Sequence, residues 1–506
     1  MISPSELIKR YKEQKNEKIT KITKDFFDFG IEENLKFNVK NISEEIKLDT
    51  YDKTKNILVI GEVQSGKTNN LIEIADFVIK NDIYDHVLWL SGTNKNLARQ
   101  TFSRYGATSS VSRYKSELFF YDSDAHRTNE SMLIDSLSSK RKVLSLVLKQ
   151  SSHLNRFISC LNKADLVKKR LLIIDDECDY FSISNNVKDL KEDGGIRKSI
   201  EDILGLFSYS KTIYIGVTAT PYSNFNSSKS LGLFPNKAIL LNTNYSKYTG
   251  LRWFNKRADK VYVMTQNTKK KDTFEDSLEK GLLNFFYSYL IRIKENKMTE
   301  CLVNIDLVNF QHEKIRNDIV TKLESWKLGY SSNSERIKNL IKTKLEYMGY
   351  NCDENKLEEI CDLINNFHTK FNIYILNSSS SEENNDYLIK QYESGQESCI
   401  LIGGVLVSRG FTFENLTTEV MINAPESKSK IDVLLQRARW FGYRTEYEDY
   451  IKIIMNDKVK KAFLEAEEIQ IMMINHFGKN WVISDINSLY LSLKRKETNL
   501  ERLSIG

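Results

Sequence analysis

An apolar run, Ile57–Ile60, stops at a glycine-bearing turn, Gly61-Glu62-Val63-Gln64-Ser65-Gly66-Lys67-Thr68, and a helical stretch, Asn69–Lys80, follows at once. This succession constrains the chain more than any other feature. A strand, a GxxxxGKT loop and a helix in immediate order form the first turn of a βαβ unit and so predict a parallel sheet. Glycines let backbone N–H groups close around phosphate oxygens, and the helix N-terminus adds positive potential. Gly61, Gln64, Ser65, Gly66, Lys67 and Thr68 are therefore candidate ATP-binding residues. Lys67 would neutralise the β and γ phosphates, and Thr68 would offer an oxygen to Mg2+.

The rest of the chain repeats the theme. Apolar runs at Val87–Leu90, Val143–Leu148, Leu171–Ile174 and Thr212–Val217 alternate with polar helical stretches, which predicts a first α/β lobe over residues 50–255. A second alternation, Cys301–Leu307, Phe371–Leu376, Cys399–Ile402, Glu419–Ile422 and Tyr450–Ile453, predicts a second lobe over 301–457. Around them the expectation is a helical N-terminal segment over 1–49, a helical connector over 256–300, a helical insertion at about 313–370 and a helical tail over 458–506. Ser3-Pro4-Ser5-Glu6 has the form of a helix start.

Leu171–Ile174 runs into Asp175-Asp176-Glu177-Cys178-Asp179. An apolar strand ending in Asp-Glu, about 100 residues after the phosphate loop, is the arrangement that holds Mg2+ and activates water. Asp176 is the candidate metal ligand and Glu177 the candidate base; Asp175 is acidic too, so the register stays open by one residue. Gly216-Val217-Thr218-Ala219-Thr220-Pro221 closes another strand with small hydroxyl residues, which would link hydrolysis to movement.

With these pieces in place the series resembles the superfamily 2 helicases. Thr93-Asn94-Lys95-Asn96-Leu97-Ala98-Arg99-Gln100 resembles the motif that touches the nucleic-acid backbone, and the resemblance marks Thr93, Arg99 and Gln100 for that contact. Further on, Ser408-Arg409-Gly410-Phe411-Thr412-Phe413-Glu414 and Gln436-Arg437-Ala438-Arg439-Trp440-Phe441-Gly442-Tyr443-Arg444 resemble the Z-one domain family, often labelled endonuclease and similar to components of restriction and phage-defence loci. The resemblance covers about residues 50–455 and implies two RecA-like parallel-sheet lobes. It implies that Arg439 and Arg444 fall where arginine fingers reach the γ-phosphate, that Gly410 borders the nucleotide and that Arg409 couples nucleotide to nucleic acid. Thr412 stands where many helicases carry Asp, and the arginine spacing after Gln436 differs from the wider pattern. For Trp440, Phe441 and Tyr443, core packing is read ahead of base stacking.

Bulk properties narrow the partners. No stretch approaches the roughly 20 apolar residues of a membrane span; Gly281–Ile291 comes nearest and carries Asn284 and Ser288. With a charged start and no apolar signal core, the expectation is a cytoplasmic protein. The six cysteines form no CxxC pair, so neither a disulfide framework nor a structural zinc site is expected. A net charge of +6, with basic runs at Lys140–Lys142, Lys168–Arg170, Lys269–Lys271 and Lys494–Lys496, is compatible with nucleic acid without demanding it. No Asp followed by Glu-x-Lys or Asp-x-Lys on a strand stands out as a nuclease centre, and His312 and His368 are isolated. Three readings follow: an ATPase acting on nucleic acid, with DNA first and a separate nuclease or other defence protein as partner; a chain that itself cuts DNA; and a nucleotide-gated scaffold with slow hydrolysis.

Overall fold

The apolar runs become strands buried along nearly their whole length, as sheets covered on both faces require. The computed structural model describes residues 31–47, 55–92, 118–124, 130–179, 193–207, 211–221, 233–244, 246–265, 270–304, 309–376, 397–404, 413–423, 431–477 and 480–482. The chain divides into two compact units, Met1–Ser246 with Ile469–Gly506, and Lys247–Glu468.

The first unit holds β1 (Lys55–Ile60), β2 (His86–Ser91), β3 (Leu118–Asp122), β4 (Lys142–Leu148), β5 (Leu171–Asp176), β6 (Thr212–Thr218) and β7 (Lys237–Leu240). With β16 (Asn480–Val482) they form one sheet in the order β16-β7-β1-β6-β5-β2-β4-β3. Every pair is parallel except β16 on β7. Alternate strand residues feed two separate cores, because successive side chains point to opposite faces. Val87 and Trp89 pack with Leu71, Ile74 and Val78 of the helix Lys67–Lys80 and with Ile42 and Ile46 of the helix Ile31–Lys47. Leu88 and Leu90 pack on the other face with Leu154 and Phe157 of the helix Ser151–Lys163 and Ile200 of the helix Asp193–Leu206.

The second unit contains β8 (Tyr248–Thr249), β9 (Tyr262–Met264), β10 (Glu300–Val303), β11 (Asn372–Leu376), β12 (Cys399–Gly403), β13 (Leu416–Val420), β14 (Gly442–Tyr443) and β15 (Lys452–Met455). Its sheet runs β11-β12-β10-β13-β15-β9, all parallel, while β8 and β14 pair antiparallel apart from it. The helices Lys270–Arg292, Asn309–Ser332, Ser334–Tyr347 and Glu354–Asn365 share one core with Cys301, Val303, Ile400, Ile402 and Val420. The last strand, β16 (Asn480–Val482), lies back in the first unit.

The chain is thus α/β with two parallel-sheet lobes, as the alternation predicts. Some strands differ from the expectation. The run Glu419–Ile422 is a strand over Leu416–Val420, hidden because Thr417, Thr418 and Glu419 are polar yet fully buried. Their polarity is satisfied locally: Asn284 Nδ2 donates to Thr418 Oγ1 at 2.7 Å and Asn304 Nδ2 to Glu419 Oε1 at 3.0 Å. The run Tyr450–Ile453 begins late, at Lys452, because Thr445–Tyr450 winds as a 3-10 turn. The strands β3, β7, β9 and β16 are not marked by the alternation; three of them span only three or four residues. The expected helix start at Ser3 lies outside the described residues.

Candidate nucleotide site

The order β1-β6-β5 sets three sequence motifs side by side at the carboxyl ends of adjacent strands. Gly61 N donates to Thr218 O at 3.1 Å, and Cys178 N to Val217 O at 3.1 Å, so the end of β6 is bonded to both flanking loops. Ligands of open α/β sheets bind beyond these carboxyl ends.

The first loop has the backbone its sequence predicts. Gly66 sits at φ 84°, a left-handed conformation, and opens the helix Lys67–Lys80 without a side-chain cap. A Cβ at Gly61 would meet Lys67 Cγ at 2.8 Å, so only glycine leaves the lysine stem its path. Ser65 N and Ser65 Oγ donate to Glu62 O at 3.2 and 2.9 Å, and Lys67 Nζ donates to the same oxygen at 2.8 Å. The ammonium thus takes a carbonyl oxygen as acceptor, a role that a phosphate oxygen fills equally. Glu62 Oε2 accepts from Gln470 Nε2 at 2.8 Å, a contact the sequence does not signal.

At the acidic strand end Asp175 and Asp176 have different surroundings. Asp175 is fully buried and bound: Lys149 Nζ donates to its Oδ1 at 2.9 Å and Tyr214 OH to its Oδ2 at 2.6 Å. Asp176, only partly buried, accepts at Oδ1 from Glu177 N at 3.1 Å. Burial pushes the Asp176 pKa above the usual carboxylate value, against the pull of Lys149 and Lys67. Desolvation lowers the Lys67 pKa, while Asp176, Glu177, Glu62 and Asp179 act to raise it. Lys67, Asp176 and Glu177 therefore share one electrostatic site. Glu177 itself holds φ 54°, a left-handed conformation rare outside glycine. Asp179 is gripped by Thr218 Oγ1 and Thr220 Oγ1, each donating at 2.8 Å, so the threonine motif braces the acidic loop.

A divalent cation suits this set. Mg2+ binds through one or two protein oxygens plus substrate phosphates rather than through an all-protein cage. The partly buried Asp176 carboxylate and the Thr68 hydroxyl are residues of that kind.

The second unit carries the two candidate arginines. Arg444 is 3% exposed, with Nε donating to Phe441 O at 3.1 Å and its terminal nitrogens to Phe413 O at 2.7 Å, Arg439 O at 2.9 Å, Glu414 O at 3.4 Å and Tyr447 OH. Arg439 N donates to Glu419 Oε2 at 3.2 Å and its Nη1 to Gln436 O at 3.4 Å. Arg437, not singled out from sequence, binds Asn304 O at 2.8 Å and Asn423 O at 2.9 Å. Trp440 and Phe441 are core residues, edge-packed on one another, and Tyr443 is 37% exposed beside Tyr248. Thr93, Arg99, Gln100, Arg409 and Gly410 lie outside the described residues.

Two family models match parts of the chain. Residues 277–483 match the family described as Z1 domain, and residues 12–223 match that described as type III restriction enzyme, res subunit. S. cerevisiae Dbp5 bound to RNA and ADP-BeF3 is 13% identical, with a TM-score of 0.45 over 86% of this chain and 90% of that one. The DUF1998 helicase MrfA bound to DNA and AMPPNP is 13% identical, with a TM-score of 0.47 over 87% of this chain and 50% of that one. The type ISP restriction-modification enzyme LlaBIII bound to DNA is 11% identical, with a TM-score of 0.45 over 88% of this chain and 29% of that one. Likenesses this distant carry no functional argument. A Plasmodium falciparum protein is 25% identical over 210 residues, which make up 39% of this chain and 6% of that protein's length.

Proposed function

We propose that this Z1-domain protein, whose first lobe is of the helicase-like ATPase kind, binds ATP with Mg2+, hydrolyses it, and couples that hydrolysis to binding or remodelling nucleic acid. DNA is the nucleic acid we favour, acted on in the cytoplasm by the ATPase component of a restriction or phage-defence system, with a separate nuclease or other defence protein as partner. The observation that carries the reading is the gathering of Lys67, Asp176 and Glu177 at the ends of β1 and β5, beside a loop whose Gly66 is left-handed.

Each residue has a distinct task in this proposal. Gly61, Gln64, Ser65 and Gly66 wrap the phosphates, and Lys67 leaves Glu62 O to meet them. Thr68 and Asp176 hold Mg2+, which supplies charge neutralisation at the phosphates. Glu177 orients the attacking water and takes its proton, aided by the desolvation that surrounds its neighbours. Arg439 stabilises transition-state charge, while Arg444, expected from the resemblance as a second finger, has all five donors committed to neighbouring acceptors and so braces the segment that carries Arg439; Thr93, Arg99, Gln100 and Arg409 meet the nucleic-acid backbone, and Gly410 borders the nucleotide.

Glu177→Gln separates binding from chemistry. A fluorescent ATP analogue should bind the variant as it binds the wild type, while turnover falls by about 10²- to 10⁴-fold. Wild-type turnover by Glu177→Gln would remove the base from this position.

A further inference from the structure

Lys149 is the first residue after β4, and the order β5-β2-β4 puts one strand between it and the acidic end of β5. Its backbone is fixed on both sides. Lys149 N donates to Ser91 O at the end of β2 at 3.2 Å, and the helix Ser151–Lys163 starts two residues on. The side chain then crosses beneath the acidic loop with no exposure to solvent.

The ammonium has three donors, and three acceptors receive them. They are Asp175 Oδ1 at 2.9 Å, Asp176 O at 2.6 Å and Glu177 O at 3.0 Å. The other Asp175 oxygen accepts from Tyr214 OH at 2.6 Å. Buried ion pairs give little net stability over apolar residues of the same size, so stability is a weak reason for this one. What the pair does is geometric. Two of the three bonds fall on the carbonyls of the two residues proposed to hold Mg2+ and to activate water. One of these, Glu177, stands at φ 54°, a backbone state that persists only when its surroundings over-determine it.

We propose that Lys149 is a positioning residue for ATP hydrolysis: paired with Asp175, it clamps the Asp176 and Glu177 carbonyls and so aims the two carboxylates. This rests on the ATPase reading given above. Lys149 acts through its neighbours and does not itself touch nucleotide. Asp175 is its counter-ion, and Tyr214 fixes Asp175.

The test is the double variant Lys149→Met with Asp175→Asn, which removes both charges together and leaves no buried ion unpaired. Thermal unfolding should show a folded protein, and a fluorescent ATP analogue should bind with wild-type affinity when Mg2+ is omitted. The tightening of that affinity on adding Mg2+ should shrink, and kcat should fall about 10- to 100-fold with KM little changed. A folded double variant with wild-type kcat and a wild-type response to Mg2+ overturns the proposal. If the double variant does not fold, Tyr214→Phe replaces it, removing one hydrogen bond from Asp175. A lowered kcat at constant KM supports the clamp, and an unchanged kcat overturns it. Wild-type protein without Lys67-dependent turnover or nucleotide binding would refute the ATPase reading, and the clamp with it; Lys67-dependent turnover in the wild type together with unchanged kinetics in the folded clamp variants refutes the clamp alone.

Discussion

Arginine at position 444 spends its guanidinium on Phe413, Glu414, Phe441 and Arg439 carbonyls, and these span two separate stretches of the second unit. Arg444→Ala would leave those buried acceptors unmet, and Arg444→Lys would not restore them, since one ammonium cannot copy a planar five-donor fork. Either change should lower stability by roughly 2–4 kcal/mol, read by denaturant unfolding. Arg439 Nη1 donates to Gln436 O at a long 3.4 Å within its own segment, so Arg439→Ala should keep most of that stability while turnover drops by roughly 10³-fold. Wild-type turnover by folded Arg439→Ala would end its role as a finger. Sequence marks these residues but not their occupations. A spacing motif records which residue types recur, whereas the acceptors of Arg444 come from positions as far off as Phe413. The same holds for Asp175 and Asp176, which are indistinguishable in sequence until Lys149 and Tyr214 take one of them.

At the scale of elements, β13 is the strand the sequence places least well, and it carries Glu419 inside the second unit. Burial raises the Glu419 pKa to about 8, against the pull of Asn304, Arg437 and Arg439. The folded chain therefore keeps a proton that an unfolded glutamate releases near 4.5. The stability linked to that proton is complete below pH 4.5 and is lost as the pH rises towards 8. Glu419→Gln removes the exchange, so its unfolding free energy should change less between pH 5 and pH 8 than that of the wild type. Parallel curves for the two proteins would show that Glu419 is ionised throughout. The other central strands were legible because a parallel strand covered on both faces is apolar at nearly every position. The strand β13 was not, because Asn284 and Asn304 pair with its polar groups from other elements. Short edge strands such as β7 and β16 carry too few residues for any period to show.

At the scale of the whole molecule, two parallel sheets were foreseeable from alternation alone but their strand order was not, and the family matches cover residues 12–223 and 277–483. Coupling to nucleic acid is the proposal that belongs to this scale. Contacts to phosphates release counterions, so any stimulation by DNA at sub-saturating concentration should fall steeply between roughly 50 and 200 mM salt. Salt-independent stimulation would mean that the backbone is not what the chain recognises. The most direct measurement is ATP hydrolysis by the purified chain, with and without single- and double-stranded DNA, beside Lys67→Ala. Turnover that needs Lys67 and rises with DNA is the predicted result. Turnover that is absent, or that Lys67→Ala leaves intact, would contradict an ATPase built on this loop.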